Sequence, residues 1–226
     1  MELKHQLTWW KMVVAAIALV VASVVPITYA DTVTINFDSL VVPVGQNLTG
    51  APLTNYLAGY GITLSGMQSG EFAGVMNLRE YSWAIPPSSP NFFGIGGGGQ
   101  VTTLTLNFST PVNNFSFDRI GIRSGSSGTS MGPWSATAYN ALDVNLGSVG
   151  DPIIIISVGT VPIELLTIAA QGISRIDFTA NNYGSFGFGF PFTDNWTFTT
   201  VPEPTTMLLL GLGLMGLAGL RRKFKN

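Results

Sequence analysis

Between Asp31 and Thr200 this chain has no histidine, no cysteine and no lysine; the single histidine is His5. Ser-His-Asp, Cys-His and Ser-Lys nucleophilic systems are therefore excluded from that stretch, because no base remains to activate the nucleophile. Zinc, copper and haem sites of the usual ligand types are excluded for want of imidazole and thiolate. Oxygen-ligand cations stay open. Asp38 closes the first alternating run, and Asp194 and Asn195 open the last. Brought together at one edge, their carboxylate and amide oxygens would suit a structural Ca²⁺. The competing reading is that Asp and Asn simply end strands in turns.

A second group is aromatic. Arg79, Tyr81, Trp83, Phe92, Phe93 and Trp134 fall in or beside expected loops. Sugars bind on exposed aromatic faces with polar groups fixing their orientation, so Trp83, Trp134, Tyr81 and Arg79 form the candidate carbohydrate site. Large aromatics are more often buried, and closing the ends of a core is the simpler role for them. Glu71 with Glu80, or Asp118 with Asp177, would supply the carboxylates of a glycosidase, but no spacing identifies such a pair, and no catalytic residue is assigned. Asp118 with Arg119 and Arg175 with Asp177 read as surface ion pairs. Gly94–Gly99 lacks the Lys-Ser/Thr of a phosphate loop and reads as a hairpin loop. The sequons at Asn47, Asn107, Asn114 and Asn195 are common by chance in a Thr- and Ser-rich chain.

The elements that must position these residues read as strands. Val33, Ile35 and Phe37 alternate with Thr and Asn, as do Leu104, Leu106 and Phe108. Phe115 and Phe117 follow Pro111, and Ile176, Phe178, Trp196 and Phe198 repeat the scheme. Period-two alternation signals strands with one buried face. Further strands are expected at 61–65, 134–141, 153–158 and 163–169, with the Ile153–Ile156 run as a central strand buried on both faces. A short helix is expected around Pro52–Gly59. Turn-forming clusters at 42–50, 86–90, 94–99, 124–132 and 181–189 separate the runs. Eight or nine short strands with long loops imply an all-β fold, an antiparallel β-sandwich of jelly-roll type over residues 31–200. Its core carries the fold unaided by disulfides.

The 226 residues carry a formal charge of −2, unevenly placed. Residues 31–200 hold four arginines (Arg79, Arg119, Arg123, Arg175) against ten acidic residues, a net −6. Such a body does not suit nucleic acid, which needs clustered positive charge. The remaining basic residues lie at the ends. Residues 1–30 read as a secretory signal peptide: Lys4 and Lys11, an apolar run from Met12 to Val25, Pro26, then Thr28-Tyr29-Ala30 before Asp31. An uncleaved anchor is the alternative. At the other end come Val201-Pro202-Glu203-Pro204, an apolar helix over 205–220 and a basic cluster over 221–225. The fourteen residues Met207–Leu220 span about 21 Å as a helix. Thr205, Thr206 and snorkelling arginines bring that near the hydrocarbon thickness, with the basic end cytoplasmic. Gly211–Gly216 matches GxGxxG, but no strand precedes it, so it reads as a close-packing stripe rather than a dinucleotide site.

The order Pro-Glu-Pro, glycine-rich apolar helix, arginine-rich end closely resembles the PEP-CTERM sorting signal over residues 201–225. The resemblance assigns Pro202, Glu203, Pro204, Arg221 and Arg222 to the signal. It implies a Gram-negative bacterium that makes exopolysaccharide, and a membrane exosortase as processing partner. It also implies an inner-membrane anchor before processing and a cell-surface or extracellular-matrix (biofilm) destination. A looser resemblance ties the body to jelly-roll, carbohydrate-binding-like domains, through Ile35-Asn36-Phe37-Asp38, Tyr60-Gly61-Ile62-Thr63 and Phe192–Trp196. The expectation is an exported, non-enzymatic β-sandwich acting in matrix structure or adhesion, with other matrix proteins as partners. The alternative is a lectin-like module for exopolysaccharide; a hydrolase is a third reading. No cofactor is expected; a structural Ca²⁺ at Asp38, Asp194 and Asn195 is the alternative left open.

Overall fold

The alternating runs named above become strands, though the first stops at Ile35, short of Phe37, because each second side chain finds a place in a shared core. The computed structural model describes residues 30–43, 47–66, 72–78, 83–96, 102–124, 129–152, 154–156, 159–180, 187–188, 192–201 and 213. In chain order come β1 (Thr32–Ile35), helix α1 (Gly50–Ala58), β2 (Ile62–Ser65), β3 (Phe72–Asn77), β4 (Ala84–Ile85) and β5 (Asn91–Gly96). There follow β6 (Thr102–Arg119), β7 (Gly121–Ser124), β8 (Thr129–Met131), β9 (Trp134–Tyr139), β10 (Asn145–Asp151) and β11 (Ile154–Ile156). The last are β12 (Gly159–Val161), β13 (Glu164–Ile168), β14 (Ile173–Ala180), β15 (Gly187–Phe188) and β16 (Thr193–Thr200). The expected signal peptide and the tail beyond Val201 lie outside the described residues, apart from Ala30 and Gly213. Among the described residues no helix is long and apolar enough to cross a membrane.

Ten strands share one sheet, in the order β10-β9-β14-β6-β16-β5-β3, with β2 and β13 also on β6 and β1 on β16. Its pivot is β6, 18 residues long. The first half of β6 pairs with β14 and β2, and the second half with β16 and β13. One continuous strand thus serves two layers, and aromatic side chains from the two meet between them. Phe117 lies 5.3 Å from Phe178, and Phe108 lies 5.3 Å from Phe198. At about 2–3 kcal/mol for each buried large apolar side chain, this seam is the main source of the fold's stability. Among the described residues all the strand pairings are antiparallel except that of β15 with β8. The fold is therefore all-β and antiparallel, as expected.

Four local expectations differ. Pro111 does not end a strand: it sits exposed where β6 crosses between layers, and no ladder partner needs its missing N–H. The Ile153–Ile156 run is not a central strand. Ile154–Ile156 forms the outer member of a small sheet, β11-β8-β15, with Ile154 half-buried. Gly94–Gly96 belongs to β5 rather than to a loop, because it pairs with Phe72–Gly74 of β3; Gly94 is glycine where a Cβ would come within 2.6 Å of the Phe192 ring. The strands outnumber the eight or nine expected, several being only two or three residues long, below what periodicity resolves. The helix falls as expected and seats Leu53 and Leu57, one turn apart, in the core.

Candidate functional site

The first and last runs do meet. Phe37 adopts φ +59°, turning the chain sharply after β1. The turn is held by Asn91, fully buried at the start of β5, whose side-chain amide donates to the carbonyls of Phe37 (3.0 Å) and Leu40 (2.9 Å). The Asn91 backbone N–H donates to Asp38 Oδ1 (3.1 Å). Beside it Asp194 is fully buried: Oδ2 accepts from the Ser88 hydroxyl (2.7 Å), and Oδ1 from the Asn195 N–H (2.8 Å). Burial pushes the Asp194 carboxyl up to about 6, with the Asp38 charge adding to it against the hydrogen bonds from Ser88 and Asn195. Asn195, at φ +49°, turns its amide the other way, to Asp118 Oδ2 (2.9 Å). Asp38 and Asp194 are thus brought together, but the Asn195 side chain is directed to Asp118 instead of joining them. The oxygens named here are engaged by protein donors. Among the described residues no group of three acidic or histidine side chains is placed to hold a cation.

The aromatic candidates divide. Trp134, only 4% exposed, packs on Phe117, and its Nε1 donates to Asp151 Oδ2 (3.2 Å). Phe92 and Phe93 are buried on β5 rather than placed in a loop. Trp83 is half-buried against Phe192, with ring centroids 4.9 Å apart. Tyr81 and Arg79 lie outside the described residues, as do Glu71 and Glu80. A cavity of about 210 Å³ opens beside Trp134, lined by Pro133, Ser135, Thr179 and Ala180 as well.

Two charged groups differ from the sequence reading or extend it. Arg119 is not a surface partner of Asp118. It is buried, 2% exposed, with Nε 2.8 Å from Asp151 and Nη2 3.0 Å from Glu164. Burial raises the Asp151 carboxyl above the ordinary range, Arg119 opposing and Glu164 reinforcing the shift. Nothing in the local sequence marked Arg119 as internal, since its partners lie 32 and 45 positions away. Arg175 does pair with Asp177 (3.2 Å), and also with Asp143 (2.6 Å), while its guanidinium stacks 4.4 Å above the Tyr139 ring.

At the end of β16, the Thr200 N–H donates to the Asp31 carbonyl (2.9 Å), so the last strand of the body closes beside its first residue. Comparison with known families finds a match that begins at this point, over residues 200–223. The chain carries a PEP-CTERM protein-sorting motif. The motif takes in Pro202, Glu203, Pro204, Arg221 and Arg222, all outside the described residues, and about a tenth of the chain. No curated protein matches the chain as a whole.

Among solved structures, the PEP-CTERM-bearing chain is similar to the enzymatically active domain of bacteriophage CBA120 tailspike protein 4. The identity is 13% and the TM-score 0.31, over 62% of this chain and 19% of that one. It therefore spans about a fifth of the tailspike chain. It is also similar to a family 29 carbohydrate-binding module, at 15% identity and a TM-score of 0.31, over 76% of this chain and 90% of that one.

Proposed function

We propose that this is an exported protein whose C-terminal motif hands it to an exosortase. Its non-catalytic body, a jelly-roll sandwich, then serves in surface or extracellular-matrix structure or adhesion. The observation that carries the reading is the position of the sorting motif: it starts at Thr200, the last residue of β16, so a folded body precedes it. In this reading the apolar run 205–220 with the basic residues 221–225 retains the substrate in the inner membrane, and Pro202-Glu203-Pro204, where proline disfavours helix, is the segment offered for cleavage. Of the carboxylates considered for glycoside hydrolysis, the two among the described residues, Asp118 and Asp177, have other engagements, which supports the non-catalytic reading. Asp118 accepts from Asn195, and Asp177 from Thr105 and Arg175. Replacing Pro202, Glu203 and Pro204 by alanine is expected to leave full-length protein in the inner-membrane fraction of a host expressing an exosortase. Release of that variant at the wild-type rate would overturn the reading.

A second reading, glycan binding, is favoured by one feature: the outward side chains of β9, β14 and the first half of β6 are hydroxyls and an amide around one charged pair, Arg175 and Asp177.

A further inference from the structure

We infer that the outer face of the layer formed by β9, β14, the first half of β6 and β2 binds an uncharged polysaccharide. The inference rests on the glycan-binding reading and moves its site from the loops to the sheet. Alternation sends Leu104, Leu106, Ala136, Ala138, Ile176 and Phe178 into the core. Their neighbours in sequence form a grid on the other side. The register aligns Ser135, Thr179 and Thr103 in one row, and Thr137, Asp177, Thr105 and Ser65 in the next. A third row holds Tyr139, Arg175, Asn107 and Thr63. Strands about 4.8 Å apart and rows about 7 Å apart make a patch roughly 14 Å on a side, room for two or three sugar rings. The cavity beside Trp134 lies at its first row, through Ser135 and Thr179.

The chemistry of the grid selects the occupant. A hydroxyl both donates and accepts, so rows of Thr and Ser match rows of sugar hydroxyls in either sense. Several of these groups are already oriented: Thr105 Oγ1 donates to Asp177 Oδ1 (2.9 Å), and Asn107 Nδ2 to Ser65 Oγ (2.9 Å). The one cation on the grid, Arg175, is neutralised by Asp143 and Asp177, which leaves no net attraction for a polyanion. Its guanidinium carbon lies 4.4 Å from the centroid of the Tyr139 ring, which puts on the grid an aromatic and a guanidinium group against which the C–H face of a sugar ring packs. A protein partner would require an apolar anchor, and the grid has only Tyr139.

The test uses the full chain in detergent, run through native gels cast with hydroxyethylcellulose, galactomannan or the polyanion alginate. Retardation by a neutral polymer is expected, with apparent affinity falling at least tenfold in Tyr139→Ala and in Thr63→Arg. Thr63 is exposed on a strand that, among the described residues, pairs only with β6, so Thr63→Arg keeps the fold, which an unchanged thermal melt verifies. Neutral-polymer binding that survives both substitutions would overturn the sheet-face site while sparing glycan binding. No retardation by either neutral polymer, or retardation by alginate alone, would overturn the inference; the sorting reading stands or falls separately, on the Pro-Glu-Pro variant.

Discussion

A buried carboxylate is costly unless its neighbours favour the charge, and Asp194 has too few that do. Its carboxyl is pushed up to about 6, chiefly by burial. An acid whose folded value exceeds its unfolded one binds its proton more tightly in the folded state. That contribution is fully present below about pH 4 and is lost as pH rises through about 6. A two-unit shift corresponds to about 2–3 kcal/mol. Urea unfolding is therefore expected to show higher stability at pH 4.5 than at pH 8 by that order, Asp151 contributing in the same sense. Asp194→Asn should flatten the profile; an unchanged slope in that variant would assign it elsewhere. The sequence made Asp38 and Asp194 legible as neighbours, because both border alternating runs that end a sandwich. It did not make Asn91 legible: one buried amide holding the carbonyls of Phe37 and Leu40 depends on a tertiary fit with no periodic signature.

At the scale of elements, alternation located most strands but not their partners. Phe115 and Phe117 read as a separate strand after Pro111, whereas β6 runs through that residue because its crossing between layers needs no N–H there. The isoleucine run read as central on hydrophobicity alone, yet β11 has β8 as its one strand partner among the described residues. Arg119 shows why pairing matters. It ends β6 and reaches Asp151 at the end of β10 and Glu164 at the start of β13, fastening the two layers at one edge. Removing one member of a buried ion pair strands the other, at about 3–5 kcal/mol, whereas replacing both with apolar side chains is often close to neutral. Arg119→Met and Asp151→Leu are each expected to destabilise by a few kcal/mol. The double variant should be more stable than the sum of the two losses predicts, giving a coupling of about 1–3 kcal/mol in thermal or urea unfolding. Additive losses would mean that the pair does not act as a unit.

Over the whole molecule, the hydroxyl-rich exterior and apolar seam were legible as an all-β sandwich, and the tail as an address; how one strand shares itself between two layers was not. Among the described residues the body's first strand, β1, pairs only with β16, and it buries Ile35 completely. Deleting residues 31–36 is expected to cost about 2–4 kcal/mol and to lower the melting temperature by roughly 5–15 °C. A melt within a degree or two of wild type would show β1 to be dispensable.

Because Asp31 and Thr200 are paired, the direction of a mechanical load decides how the body resists it. Pulled apart by those two residues, β1 and β16 would open like a zipper, one backbone bond at a time. Held by its tail alone and loaded through something seated on its sheet, the body takes force along the axis of β16. There the bonds to β6 and β1 bear it together, in shear. A domain with this connectivity is weak as a link in a chain and strong as the end of a tether.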